Sequence, residues 1–404
     1  MLRQMFWKIG QVTFLLSLTM LFAAFSSILL GRILSPADFG QFGLARTLIL
    51  FIPTMAVWGQ DISIARYFSR SALPLYAWKK TLRFIVLVFF ALALTGVLAS
   101  SFIYDLPVWM ILAVGCGVLC YGMNILLSSI FRSQGNYKSA VILLSGFRGL
   151  YFLLLVPIYF IGHLSVQSAV IAYATIIMVN AAIGWRYTLK IFPQGEQTVP
   201  REMHLTGLVF MGISISVNVM ASLDSLVISK VLGYEILGLY IATLVPVQAF
   251  NILGRAAKYV WVPEFSRNRS LKWQKLNLFS LLPVILVAAF FYFTAEWILE
   301  ILYHEKYLHG APLLRILTFV GAIRVLYNLP SSIITGKLGL AAIRWHFILS
   351  ILLLVVYSGA LIWITPRYGV MGVGYALLGI SVARLLAGYW VVLKFPDKDE
   401  ETKH

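Results

Sequence analysis

The sequence predicts an all-α integral membrane protein, with about twelve transmembrane helices in two six-helix, pseudo-symmetric bundles. Composition is the first reason. Of 404 residues, 60% are hydrophobic and 12% charged, with a mean hydropathy of +0.88, whereas soluble domains hold roughly 45–50% apolar and about 25% charged residues. The second is clustering: the apolar residues gather into runs of about 20, the length that crosses roughly 30 Å of hydrocarbon as a helix. The third is the placement of basic residues, which crowd into every second loop. Backbone facing lipid must satisfy its own hydrogen bonds, so the runs are helices, and their lack of alternation excludes a β-barrel.

The first span, 11–31, contains "FAAFSS", which imitates a cleavage region. Further spans come after it, so it reads as a span rather than a removed signal. "GRILSPADFGQFGLA" (31–45) turns the chain, Pro36 and Asp38 suiting a helix start, and the second span covers 39–59. Lys79, Lys80 and Arg83 lead into 83–103, and "YDLP" (104–107) turns into 108–130. That span holds the two cysteines, Cys116 and Cys120, which lack a nearby histidine and read as core rather than metal ligands. Spans 139–161 and 165–186 flank "GHLS", and a basic stretch at 187–204 separates the halves. The second half repeats the pattern with spans at 205–229, 237–261, 278–299, 311–334, 344–364 and 369–392. The bundles therefore occupy 1–193 and 205–393, joined by a linker at 194–204 and completed by a polar tail at 394–404.

The formal charge of +17 would suit a nucleic-acid binder if this were a soluble protein. Here 21 basic residues lie in one set of loops, among them Arg66, Lys79, Arg132, Lys190, Arg267 and Lys394, against four in the other, Arg32, Lys230, Lys306 and Arg367. Basic loops stay in the cytoplasm, so both termini are expected there, as an even number of spans requires. No nucleic-acid partner and no cofactor is implied. The loops are too short to fold as catalytic domains.

The halves match in order. Leu34, Gly40 and Phe42 align with Leu232, Gly238 and Tyr240 at a shift of 198, and "YFSR" (67–70) meets "EFSR" (264–267). "NILLSS" at 124–129 meets "NLPSS" at 328–332, and "LKIFP" at 189–193 meets "LKFP" at 393–396. A duplicated six-span unit places both copies in the same sense, with a pathway between them.

Seven basic residues interrupt apolar runs: Arg46, Arg148, Arg255, Lys258, Arg315, Arg324 and Arg384. Each costs roughly 2.5–3.5 kcal/mol at a helix centre, so such residues face a bundle interior or a wet cavity, or else snorkel to the surface. Snorkelling is the simple alternative for Arg315, Arg384 and Lys258. Acidic partners are fewer: Asp61, Asp224 and Glu296. The surplus is positive, which suits an anionic substrate, and arginine grips phosphate through paired hydrogen bonds. Arg46, Arg148, Arg255, Lys258, Arg324 and Arg384 are the candidate substrate-binding residues. In the seventh span Ser214, Asn218, Ser222 and Ser225 recur beside Asp224, a stripe that lines water or forms a hydrogen-bonded helix seam. With Asp61 they are candidates for cavity polarity or ion coupling.

At "LLGRILSPADFGQFGLA" and "DSLVISKVLGYEILGLYIA" the chain resembles the polysaccharide-transporter branch of the multidrug/oligosaccharidyl-lipid/polysaccharide exporter superfamily, and most of all its Wzx-type O-antigen flippases. The resemblance covers essentially the whole chain. It implies a flippase moving a polyprenyl-diphosphate-linked oligosaccharide, undecaprenyl-linked, from the cytoplasmic to the periplasmic leaflet of the bacterial inner membrane by alternating access. A surface-polysaccharide polymerase complex is an expected partner besides membrane lipid. Asp224 matches the family's seventh-span aspartate, with Ser225 next to it where relatives often carry a base. Tyr240, Tyr259 and Trp261 are expected sugar contacts. The rival readings are a drug or cation exporter of the same superfamily, which should show surplus acid, and a membrane enzyme acting on lipid-linked sugars.

Overall fold

Among the described residues, twelve helical rods succeed one another along the chain, one of them broken into two helices (Trp273–Phe293 and Ala295–Tyr303). In this computed structural model those residues are 2–64, 79–189, 201–267, 273–336, 338 and 340–395. The first rods are α1 (Leu2–Ile33) and α2 (Pro36–Ala56). Ser35 joins them as an N-cap: its Oγ accepts from the Asp38 backbone N–H at 3.1 Å and donates to Asp38 Oδ2 at 2.8 Å. Pro36, at the first helical position, has no N–H to leave unsatisfied. Next come α3 (Lys79–Tyr104) and α4 (Val108–Ser133). The fifth rod, α5 (Tyr137–Phe160), contains a π-helical turn at Ile142–Gly146. The sixth and seventh are α6 (Val166–Leu189) and α7 (Arg201–Val231).

The second hairpin turns differently from the first. Gly233, at φ +88°, adopts a left-handed conformation that glycine takes without steric cost, and it leads into α8 (Tyr234–Arg267). Then come α9 (Trp273–Phe293), the short α10 (Ala295–Tyr303), a 3₁₀ segment His304–Gly310, and α11 (Ala311–Gly336). The sequence expectation of one span over 278–299 and a loop at 300–310 gives way here. The helix breaks at Thr294, and the loop is helical.

The apolar run Ala341–Lys394 has 54 residues. Straight, it would reach about 80 Å at ~1.5 Å per residue, far beyond one crossing. Gly369, at φ 59° and ψ −152°, breaks it into α12 (340–368) and α13 (370–394). Trp345 meets Trp390 at one end of this hairpin, and Gly372 lies against Ile364 at the other. The all-α, twelve-rod membrane architecture read from the sequence holds.

The chain separates into two compact units, Met1–Lys230 and Val231–His404. In the first, small residues let helices approach closely. Gly117 faces Ile49, Gly96 faces Ile52, and Gly122 admits the fully buried ring of Phe89. Its α7 is docked at both ends. Gly207 lies against Gln60, and Met211 against Gly59. At the other end the Tyr104 hydroxyl donates to the Leu226 carbonyl at 3.2 Å, and Lys230 pairs with Asp105 at 3.8 Å. The core of the second unit includes Leu329, Ile333, Ile334, Ala342, Val391 and Val392.

Candidate functional site

In the first unit, local helix geometry decides where Arg148 points. The π-helical turn at Ile142–Gly146 holds one extra residue, rotating the remainder of α5 by about 100° relative to an unbroken α-helix. It also widens the backbone. The Leu143 carbonyl accepts from Asn180 Nδ2 of α6 at 2.8 Å, a partner outside its own helix. Arg148 lies just past this turn, its guanidinium 5.7 Å from the Phe147 ring centroid.

Arg46 on α2 reaches the same neighbourhood. Its Nη1 donates to Ser27 Oγ of α1 at 2.9 Å, and its guanidinium lies 5.9 Å from the centroid of Phe42. Between the two arginines stands an aromatic cluster. Tyr173 packs edge-on against Tyr151 at 4.9 Å, Phe147 at 5.6 Å and Phe42 at 5.9 Å, and Tyr121 packs against Phe147 at 5.7 Å. Tyr173 lies within electrostatic reach of both guanidiniums. Phe42, Tyr151 and Phe147 are at most 2% exposed, so both charges rest against a dry aromatic wall. Among the described residues, Arg148 makes no hydrogen bond and no ion pair. Such a site holds concentrated positive charge against buried aromatic rings, and one guanidinium with its donors uncommitted.

Asp224 is buried on α7, 4% exposed, with Ser225 beside it. Asn218 is half-buried on the same helix. Asp61 lies beyond the end of α2, where Arg132 Nη2 donates to its backbone carbonyl at 3.2 Å. Burial raises its carboxyl pKa above the ordinary value, and the nearby Arg132 opposes that rise. A cavity of about 340 Å³ opens between α2, α3 and α7, lined by Leu48, Phe51, Ile52, Leu92, Met211 and Leu226 among others. Its wall is apolar, matched to hydrocarbon rather than phosphate.

In the second unit Arg384 of α13 lies 4.8 Å from the ring centroid of Tyr327 on α11. Tyr327 in turn shares a 3.0 Å hydrogen bond with His346 Nε2 on α12. The Nε of Arg384 is buried and makes no hydrogen bond among the described residues. Arg324, three residues before Tyr327, shares its helix face. Asn328 Nδ2 donates to the Arg324 carbonyl at 3.0 Å, and Gly254 of α8 lies against the Asn328 amide.

The structure thus brings Arg46 and Arg148 together in one unit and gathers Arg384 with a tyrosine and a histidine in the other. The side chains of Ser214, Arg255 and Lys258, and those of Tyr259 and Trp261, lie outside the described residues. Arg315 is committed elsewhere: it pairs with Glu296 at 2.8 Å at a helix end. Tyr240 is fully buried in the core, which leaves no surface for a sugar. Sequence reasoning missed Tyr151, Tyr173, Tyr327 and His346. For His346 a signal was present, an ionisable side chain inside an apolar run.

Known proteins share this architecture. The model of a family described as "Polysaccharide biosynthesis protein" matches residues 29–312. The teichuronic acid biosynthesis protein TuaB of Bacillus subtilis (strain 168) is 25% identical over 179 residues, covering 43% of this chain and 36% of TuaB. The match therefore spans only about a third of that relative's length. Among solved structures, the lipid II flippase MurJ in an inward closed conformation superposes with a TM-score of 0.70 at 12% identity, covering 96% of this chain and 88% of MurJ. An inward-facing multidrug resistance MATE family transporter of the MOP superfamily gives 0.63 at 16% identity, covering 93% and 94%. Both likenesses are of fold.

Proposed function

This chain belongs to the polysaccharide biosynthesis protein family, and we propose that within it the chain is a flippase for polyprenyl-diphosphate-linked oligosaccharide units. The observation that carries this reading is the convergence of Arg46 and Arg148 on one tyrosine cluster near the middle of their helices. A diphosphate needs cationic hosts, and a polyprenyl tail stays in lipid throughout. Asp61, Asp224, Asn218 and Ser214 supply polar or ion-coupling groups, and Arg255, Lys258, Arg324 and Arg384 supply the second half of the cationic path. The units 1–193 and 205–393 rock to alternate access, in the bacterial inner membrane, with both termini cytoplasmic. No covalent step is involved, so the chain acts as a transporter and not as an enzyme. A polysaccharide polymerase complex receives the product.

The names of a flippase and of a teichuronic acid biosynthesis protein among the similar proteins support this substrate class. The likeness to multidrug transporters keeps a drug or cation exporter as the rival. Surplus positive charge in the spans disfavours it, because cations need acid hosts. The test is lipid-linked sugar accumulation on the cytoplasmic leaflet of a deletion strain. Wild type should relieve it, Arg148→Ala should transport at least tenfold more slowly at equal protein level, and Arg148→Lys should rescue only partly. Normal periplasmic delivery in the deletion strain would sink the reading.

A further inference from the structure

One buried asparagine of the first unit serves a neighbouring backbone rather than a cavity. Asn180 of α6 is 4% exposed, and its Nδ2 donates at 2.8 Å to the carbonyl of Leu143, inside the π-helical turn Ile142–Gly146. We propose that Asn180 is a positioning residue: by holding that turn open it aims Arg148 at the tyrosine cluster, and so sets the affinity of the cationic site for a phosphate-bearing lipid. This rests on the anionic-substrate reading and names what keeps one of its arginines in place.

Three observations carry it. First, "ILLSG" contains no proline and two leucines, which favour the ordinary α-helix, so the wider turn is held from outside. A π turn interrupts the regular ladder of backbone hydrogen bonds, and a buried carbonyl there needs a donor. Leu143 is 5% exposed, and Asn180 supplies that donor. Second, α6 is shaped around the same residue. A Cβ on Gly184, one turn beyond Asn180, would come within 2.5 Å of Leu143 Cδ2 and 3.3 Å of Leu127 Cδ1. Asn180 thus takes the carbonyl of Leu143, and Gly184 leaves room for its side chain.

Third, α5 and α6 are both tied to α4 beside this contact. Ser128 Oγ donates to the Ala140 carbonyl at 2.8 Å, and Asn124 Nδ2 donates to the Ile177 carbonyl at 3.3 Å. Each acceptor lies about one turn before Leu143 or Asn180, so side-chain-to-backbone bonds join three helices around the turn, with Arg148 just downstream. In an unbroken α-helix of the same sequence, Arg148 would swing by about 100° around the α5 axis. It would leave Tyr121 and Tyr173, both now within electrostatic reach, and the buried rings of Phe147 and Tyr151 would turn with it. Loss of one hydrogen bond on α6 is therefore felt at an arginine on α5. The same geometry defines a compensating change. Deleting one residue inside the turn removes the extra residue, and an ordinary α-helix then delivers Arg148 to its present face without help from Asn180.

The test uses the full chain in nanodiscs, with farnesyl diphosphate as the probe and farnesol as its uncharged counterpart. Asn180→Leu keeps the size of the side chain and removes its donor. Its affinity for farnesyl diphosphate should fall roughly three- to tenfold, less than in Arg148→Ala, because a charge-assisted contact is weakened rather than removed. Farnesol binding should stay as in wild type. In an Arg148→Ala chain the same substitution should cost nothing further, and likewise in a chain lacking Leu144. A general weakening of the fold would instead add in every background. Asn180→Ser, which withdraws the donor from the carbonyl, makes the same comparison where the leucine variant does not fold. Wild-type affinity in the Asn180 variants, or a loss that persists in full without Arg148 or without Leu144, would overturn the proposal while leaving the anionic substrate standing. Equal binding of farnesol and farnesyl diphosphate by wild type would overturn the anionic reading and this proposal with it.

Discussion

Arg148 and Asp61 show how differently a charge behaves at the centre of a span and at its end. Arg148 keeps its charge because guanidinium cannot lose a proton in a protein, so its surroundings must supply ring faces or an anion. Asp61 can lose its charge, and burial lifts its carboxyl above the ordinary value of 3.8. A raised folded-state pKa means that the unfolded chain ionises first. Stability is then full below pH 3.8 and falls as pH rises through the folded value. Replacing Asp61 with Asn removes that loss. Melting temperature in detergent should rise at pH 7, and the gain over wild type should shrink toward zero as pH approaches 4. A lower melting temperature for Asp61→Asn at pH 7 would show that the partnership with Arg132 outweighs burial. Both residues were legible in the sequence as ionisable groups at the edge of or within apolar runs. Their surroundings were not, because Tyr173 comes within electrostatic reach of Arg46 and Arg148 from far away in sequence, and helical periodicity reports a face without saying what it touches.

Turns divide into those whose chemistry was written plainly and those that depend on backbone angles. Pro36 and Asp38 announced the start of α2, and the structure adds Ser35 as the cap. The repeat of that hairpin preserves its position but not its means, replacing a capped proline start with the left-handed Gly233. The π-helical turn in α5 was invisible, since "ILLSG" reads as ordinary apolar helix. Gly369 is the sharpest case at this scale. Its φ of 59° and ψ of −152° fall in a region used almost only by glycine, costing other residues of order 1–3 kcal/mol. Gly369→Ala should therefore destabilise the second unit by about that amount, read as a lower detergent melting temperature. An unchanged melting curve would mean that α12 and α13 reach their hairpin by another backbone route. No such penalty attaches to Gly379, which has open space around it and ordinary helical angles.

Over the whole molecule, the alternation of basic and sparse loops predicts which ends face which compartment. A cysteine placed at His163 should react with a membrane-impermeant maleimide in intact cells, and one at Lys190 should react only after lysis. The reverse pattern would invert the topology. The twelve-rod fold was legible because lipid leaves helices as the only open choice for runs of this length, and the repeat supplied their grouping. Less legible was where compactness would draw its line. The repeat divides at 194–204, yet the first compact unit ends at Lys230, because α7 is held against it near Gly207 and again near Tyr104 and Asp105. The consequence concerns the order of assembly during synthesis. At about 5–20 residues per second, the first six rods wait a few seconds before α7 has emerged to cover the faces that bear Gln60 and Tyr104. A fragment ending at Gly233 should resist limited proteolysis in membranes better than one ending at His204. Equal resistance of the two would mean that the nascent chain needs no seventh rod to close its first half.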